Sequence, residues 1–211
     1  MPLRSSEAIV LRCWPLREAD LIVSFFTRDQ GKLRGVARRA RRPKSVFGAG
    51  LERLSWVSVS WYQKETRELV SLNSCELLQS WFSLASNYET SVALDYFAEV
   101  SDQMLPPGEV NERQFRLLLA VLEFLRGGGA VWPAVVYFDL WMVRLAGLLP
   151  ELQVDDESLE IAREMLVTPI AKLAPREWSK QTAAGLRQYL RRTMEEHVER
   201  RFLSAPLLES L

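Results

Sequence analysis

A change of hydrophobic period constrains this chain more than any other feature. Up to residue 78 apolar side chains favour every second position, and from Trp81 onward they recur every three to four. A chain that spends its first part on strands and the remainder on helices belongs to the α+β class, as one segregated domain or two. Five strand-like runs occupy residues 6–78. Glu7 to Trp14 alternates Ile9, Leu11 and Cys13 against Val10, Arg12 and Trp14. LIVSFFT (21–27) follows, Asp29-Gln30-Gly31 offers a tight hairpin whose glycine tolerates positive φ, and a third strand starts at Lys32. Ser55 to Tyr62 sets Val57, Val59 and Trp61 against Trp56, Ser58, Ser60 and Tyr62, and ELVSLNSCELL (68–78) closes the set. Five short strands in so little chain fit a small closed barrel. The five-stranded OB barrel is the nucleic-acid-binding form of such a fold, and an SH3-like barrel is its structural competitor.

The helical part opens with Asn87 to Met104, stopped by Pro106-Pro107-Gly108. Glu112 to Arg126 carries Phe115, Leu118, Leu119, Leu122 and Leu125 on one stripe and breaks at Gly127-Gly128-Gly129. Pro133 sits where a first-turn proline is tolerated. The run VVYFDLWMVRLAGLL after it is apolar on nearly all sides, which predicts the buried centre of the bundle. A short helix from Ser158 to Leu166 and a long one from Thr182 to Phe202, with Leu186, Leu190, Met194 and Val198 on one face, complete the reading. The expected organisation is an N-terminal five-stranded OB-like β-barrel over residues 1–80 and an all-helical C-terminal region over 81–211.

The net charge of zero hides an asymmetry. Residues 1–80 hold 14 Lys and Arg against 8 Asp and Glu, whereas 81–211 hold 13 against 19. The basic part suits a polyanion and the acidic part would stay off one. No apolar run reaches the roughly 20 residues of a membrane span, and the start MPLRSSEAIVLRCWPLREAD lacks a secretory apolar stretch, so the cytoplasm is the expected compartment. Cys13 and Cys75 lie singly in strand-like runs, where two buried free thiols are expected before a disulfide. With His197 as the single histidine, neither a zinc site nor a histidine-based triad has its parts. The acidic pairs Asp155-Asp156 and Glu195-Glu196 lie in polar runs and read as solvated faces. A binding protein without catalytic centre, metal or other cofactor is expected.

The basic charge is concentrated between Arg28 and Lys44, where RDQGKLRGVARRARRPK has eight basic residues and one acid. A solvated loop is the plain alternative. Against it, Lys32, Arg34 and Arg38 share one strand face by period two, and Arg39, Arg41, Arg42 and Lys44 extend that patch into the next loop. Guanidinium groups give phosphates bidentate, charge-assisted hydrogen bonds. Phe47 follows the loop, with Trp14, Trp56 and Tyr62 on alternating strand faces, and such aromatics serve as stacking platforms for bases. The expected DNA-binding set is thus Arg28, Lys32, Arg34, Arg38, Arg39, Arg41, Arg42, Lys44 and Phe47.

The segment AIVLRCWPLREADLIVSFFTRDQGKLRGVARRARRPKSVFGAGLERL resembles the N-terminal barrel of the RecO recombination mediator family, through Glu18, Asp20, Thr27, Gly31, Gly35, Ala37, Arg38, Arg41 and Leu51. ELVSLNSCELL is similar to the family's last barrel strand, YFDLWMVRLAGLLPEL to its central helix with the GLLP stop, and LRQYLRRTMEEHVERRFLSAPLL to its closing helix. The resemblance implies a DNA repair protein, nucleoid-associated, that binds single- and double-stranded DNA and anneals complementary strands. It also implies action with RecR to help RecA displace single-stranded DNA-binding protein. Two departures stand out. Where many members insert a zinc module with paired cysteines, this chain has ELQVDDESLEIAREMLVTPIAKLAP without cysteine, which implies a shortened form without zinc. Where members often carry basic residues before the central helix core, it has Val136-Tyr137, so receipt of the acidic, apolar tail of single-stranded DNA-binding protein would fall to Arg126 or Arg144. An RNA-binding OB accessory protein and a protein-interaction scaffold are the rival readings.

Overall fold

The computed structural model describes residues 2–63 and 68–211. Strands β1 (Leu3–Pro15), β2 (Leu21–Thr27), β3 (Gly31–Ala37), β4 (Trp56–Tyr62) and β5 (Val70–Gln79) close into a barrel in the order β1-β2-β3-β5-β4, with β4 returning to β1. Every pairing is antiparallel except β3 with β5, a parallel seam formed by Gly35 opposite Val70 and Val36 opposite Ser71. Gly35 permits that seam, because a Cβ there would lie 2.8 Å from Cγ2 of Val70. At the β2–β3 hairpin Gly31 takes φ 71°, and the Thr27 hydroxyl donates to its carbonyl at 2.8 Å.

Val57, Val59 and Trp61 point into the barrel, as their alternation predicts, and meet Ala8, Val10, Val23, Phe25, Ala37, Phe47, Val70, Leu72 and Cys75. Phe25 and Trp61 pack edge-on with ring centroids 6.0 Å apart. The expected face assignment of β1 needs correction. A bulge between Val10 and Arg12 leaves Leu11 without a partner on β2. Val10 points inward with Ala8, and Cys13 joins them beyond the bulge, while Ile9 shares the outer face with Arg12 and Trp14. Cys13 and Cys75 are both free thiols, and burial pushes their pKa values up to about 11 and about 12.

Contacts divide the chain into two units, residues 1–83 with 101–115, and residues 84–100 with 116–211. Residues 101–115 thus belong with the barrel, whereas the sequence alone suggests a cut at 80/81. They cover part of its outer wall. Ser24 donates to Asp102 at 2.5 Å, Gly108 N donates to the Lys32 carbonyl at 2.9 Å, and the Phe26 and Phe115 rings lie 5.6 Å apart.

The helices are α1 (Tyr88–Met104), α2 (Glu112–Arg126), α3 (Val131–Leu145), α4 (Asp156–Val167), α5 (Ala184–His197) and α6 (Ala205–Leu208). Helix α3 is buried at every position but Trp132, Trp141, Arg144 and Leu145, and packs on α4 and α5. Its central role follows from its all-round apolar sequence. The last long helix is shorter than its periodicity suggests. It ends at His197 because Glu199 takes φ 54° and the Glu195 carboxylate captures the Phe202 amide at 3.0 Å, turning the chain. Glu99 then accepts from the amides of Leu203 and Ser204 at 2.9 and 2.7 Å, at the start of α6. Among the described residues no helix is long and apolar enough to cross a membrane.

The helical unit buries Asp139, Ser158 and Arg187, and the carboxyl among them has a consequence for stability. Asp139 of α3 is fully buried and accepts from the Tyr96 hydroxyl at 3.0 Å, and burial pushes its carboxyl up to about 8. The unfolded chain, with the ordinary value of 3.8, releases that proton across a window in which the folded chain keeps it. Stability is therefore lost as pH rises through this window, by at most about 1.4 kcal/mol per pH unit, and the loss levels off above the folded value. Asp139→Asn keeps a neutral acceptor for Tyr96. Its stability relative to the wild type, measured by urea unfolding, should climb steadily between about pH 5 and 8. A constant difference would contradict the buried, protonated carboxyl.

Candidate nucleic-acid interface

The basic loop is held from behind by the β1–β2 connection. The Asp20 carboxylate accepts from the Arg39 amide at 2.8 Å, Arg41 N donates to the Ala19 carbonyl at 3.0 Å, and the Arg41 guanidinium reaches the Glu18 carbonyl at 3.4 Å. Glu18 and Asp20 thus shape the loop through backbone and carboxylate contacts. Arg39 and Lys44 both take left-handed φ, near 58° and 60°, and turns close from Arg42 N to Arg39 O and from Ser45 N to Arg42 O. At the far end Phe47 inserts into the barrel. Tethered on both sides, Arg38, Arg39, Arg41, Arg42 and Lys44 are all exposed, as is Arg34 on the outer face of β3.

Three members of the expected set lie elsewhere. Lys32 shares the outer face with Arg34, but residues 101–115 cover it. Its ammonium donates to the Asp102 carbonyl, and burial pulls its pKa below the usual lysine range. Phe47 is 3% exposed, so it fills the core and offers no face to a base. Arg28 is half-buried, paired with Glu7 at 2.7 Å and stacked 5.2 Å from the Phe115 ring. Of the aromatics, Tyr62 is exposed, while Trp56 and Trp14 are half-buried on the outer face. Arg12, absent from the expected set, is exposed beside Trp14. The opposite wall differs in chemistry. There Ser5, Ser60 and Ser74 align across β1, β4 and β5, with Glu7, Ser58 and Glu76 one rung away.

The exposed cations of the loop are set apart by their density: six lie between residues 34 and 44, whereas the exposed Arg116, Arg144, Arg163 and Arg200, also without an ion pair among the described residues, are scattered along the helical unit. Arg34, Arg38, Arg39, Arg41, Arg42 and Lys44 have no ion pair among the described residues, whereas Arg126, Arg176, Arg187, Arg191, Arg192 and Arg201 of the helical unit each meet a carboxylate. Guanidinium groups without a carboxylate partner keep their N–H donors available, and that chemistry suits phosphate oxygens.

The helical unit has an apolar groove of about 640 Å³ lined by Phe124, Gly127, Gly129, Tyr137, Ile170 and Ala171, with Glu123 at its rim. Arg126 adjoins it but pairs with Glu123 at 2.5 Å. Arg144 is not among the lining residues; it donates to the Leu166 carbonyl at 3.3 Å and stacks on Trp141. Among the described residues no group of three or more His, Cys, Asp or Glu is placed to hold a metal ion.

Comparison with known proteins gives a consistent result. The family described as recombination protein O N terminal matches residues 1–81, and recombination protein O C terminal matches residues 85–155. A DNA repair protein RecO from Koribacter versatilis is 40% identical, over 99% of this chain and 99% of its own. One from Salinibacter ruber is 30% identical over 87% of this chain and 74% of its own, and one from Geobacter sulfurreducens 34% over 69% and 59%.

Proposed function

The chain belongs to the recombination protein O (RecO) family of DNA repair proteins, and from that premise we propose that it is a non-enzymatic recombination mediator. It binds single- and double-stranded DNA through the loop of Arg38, Arg39, Arg41, Arg42 and Lys44 with Arg34 beside it, and anneals complementary strands. With RecR it helps RecA onto DNA coated by single-stranded DNA-binding protein. The observation that carries this reading is the exposed set of cations on the barrel, which has no ion pair among the described residues. Annealing needs a surface that holds phosphates while leaving base edges free, and contacts to the backbone alone do that. RecR would be recognised by co-elution with the chain on size exclusion.

The apolar groove at Phe124 and Tyr137 supports a seat for the acidic, apolar tail of single-stranded DNA-binding protein. Arg126 would meet the tail's carboxylates after exchanging Glu123 for them, and Arg144 would take no part. The test is annealing of complementary oligonucleotides coated with that protein. The wild-type chain should accelerate it well above the spontaneous rate. Removing the tail from the coat protein, or introducing Arg126→Ala, should reduce the gain, while Arg144→Ala should not. Absence of any acceleration on coated strands would reject the mediator role, and an unchanged rate with the tailless coat would reject the groove.

A further inference from the structure

The outer wall of the barrel carries a second cationic arrangement, which shares Arg34 with the surface at the basic loop. Arg12 on β1 and Arg34 on β3 lie on one rung, on either side of Ser24, and Trp14, Ile22 and Val36 form the next. Strands two apart stand about 10 Å from each other, a gap that long side chains span. Both guanidiniums lean on the same indole, with Arg12 at 5.2 Å and Arg34 at 5.6 Å from the Trp14 ring centre. Both arginines are exposed, and neither has an ion pair among the described residues. Residues 101–115 cover Ser24, which is fully buried with its hydroxyl on the Asp102 carboxylate, so the open part of this face begins one rung on, at Trp14, Ile22 and Val36, with the ends of Arg12 and Arg34 exposed beside it.

Stacking uses the face of a guanidinium and leaves the N–H groups on its edge free to donate. Two like charges gathered around one ring repel each other, and an oxyanion between their edges would relieve that repulsion. We propose that Arg12, Trp14 and Arg34 form a phosphate clamp for a DNA strand, with Trp14 as the positioning residue that aims the two guanidiniums. The clamp rests on the DNA-binding reading above and extends the phosphate track from the loop onto the barrel wall.

Anisotropy titrations of a labelled single-stranded oligonucleotide over a range of salt test it. Arg12→Ala should weaken binding about tenfold, as loss of a charge-assisted contact does. It should also make the log K against log salt slope shallower by about 0.7, the share of one phosphate contact on a single strand. Trp14→Ala removes no charge, yet it should flatten the slope too, because both arginines lose their support; Trp14→Phe should restore it. If Trp14→Ala weakens binding with the slope unchanged, the indole meets a base and the clamp is overturned. It is equally overturned if Arg12→Ala alters neither affinity nor slope. Arg38→Glu combined with Arg41→Glu and Arg42→Glu, run in parallel, separates the two levels. Loss of binding there with a silent Arg12→Ala rejects the clamp alone, and unchanged binding rejects the DNA-binding reading beneath it.

Discussion

Replacing Arg38, Arg41 and Arg42 together by glutamate is expected to weaken single-stranded DNA binding at least a hundredfold. If the surface engages four to six phosphates, the wild-type slope of log K against log salt should be about −3 to −4, and the variant's should be shallower by about 2 or more, the share of three contacts on a single strand. The three side chains are exposed, and among the described residues their replacement removes no ion pair and only the weak reach of Arg41 to the Glu18 carbonyl as a side-chain hydrogen bond. Surface changes of this kind alter stability by about half a kcal/mol or less apiece. A variant with wild-type melting behaviour and lost binding places the effect on the interface. A folded variant with unaltered affinity would remove the loop from the DNA-binding surface.

The second large effect concerns stability. Phe47→Ala should destabilise the barrel by about 3–5 kcal/mol, the usual result of emptying a buried aromatic site. Phe47 sits among Val10, Phe25, Val57 and Trp61 in the core cluster and anchors one end of the basic loop. Phe47→Leu keeps an apolar side chain in the same place and should cost markedly less. Urea unfolding followed by tryptophan fluorescence gives both values. The same alanine variant should lose part of its DNA affinity under conditions where it remains folded, because the loop loses its tether while keeping every charge. A loss of less than about 1 kcal/mol would show that Phe47 is not a core residue.

Sequence periodicity carried the architecture well, since each strand and helix is a local pattern that burial enforces. Val57, Val59 and Trp61 point inward because a half-buried strand has no other arrangement. Periodicity fails where a contact is not local. A single unpaired residue, Leu11, shifts the later half of β1 by one position and brings Cys13 onto the same inner face as Ala8 and Val10. Lys32 reads as part of a basic ridge until Asp102, 70 residues later, accepts from its ammonium. Phe47 reads as a stacking platform because an aromatic beside a basic loop fits both surface and core. Arg12 escapes notice for a related reason, since its proximity to Arg34 depends on strand register and on the bulge, neither of which the residues announce. The exposure of the cations from Arg34 to Lys44 was legible because dense charge with one acid leaves few alternatives to solvent.

Residues 101–115 have a consequence for how the protein is made. Ser24, Phe26 and Lys32 all find partners in that later segment, so a nascent chain that has emerged only as far as β5 cannot complete the barrel wall. At ordinary translation rates the missing stretch follows a few seconds later. Over that interval the Phe26 side of β2 is uncovered, and the barrel is at its most open to wrong associations. A fragment ending near residue 80 would be held permanently in that immature state, and would describe a biosynthetic intermediate better than a domain.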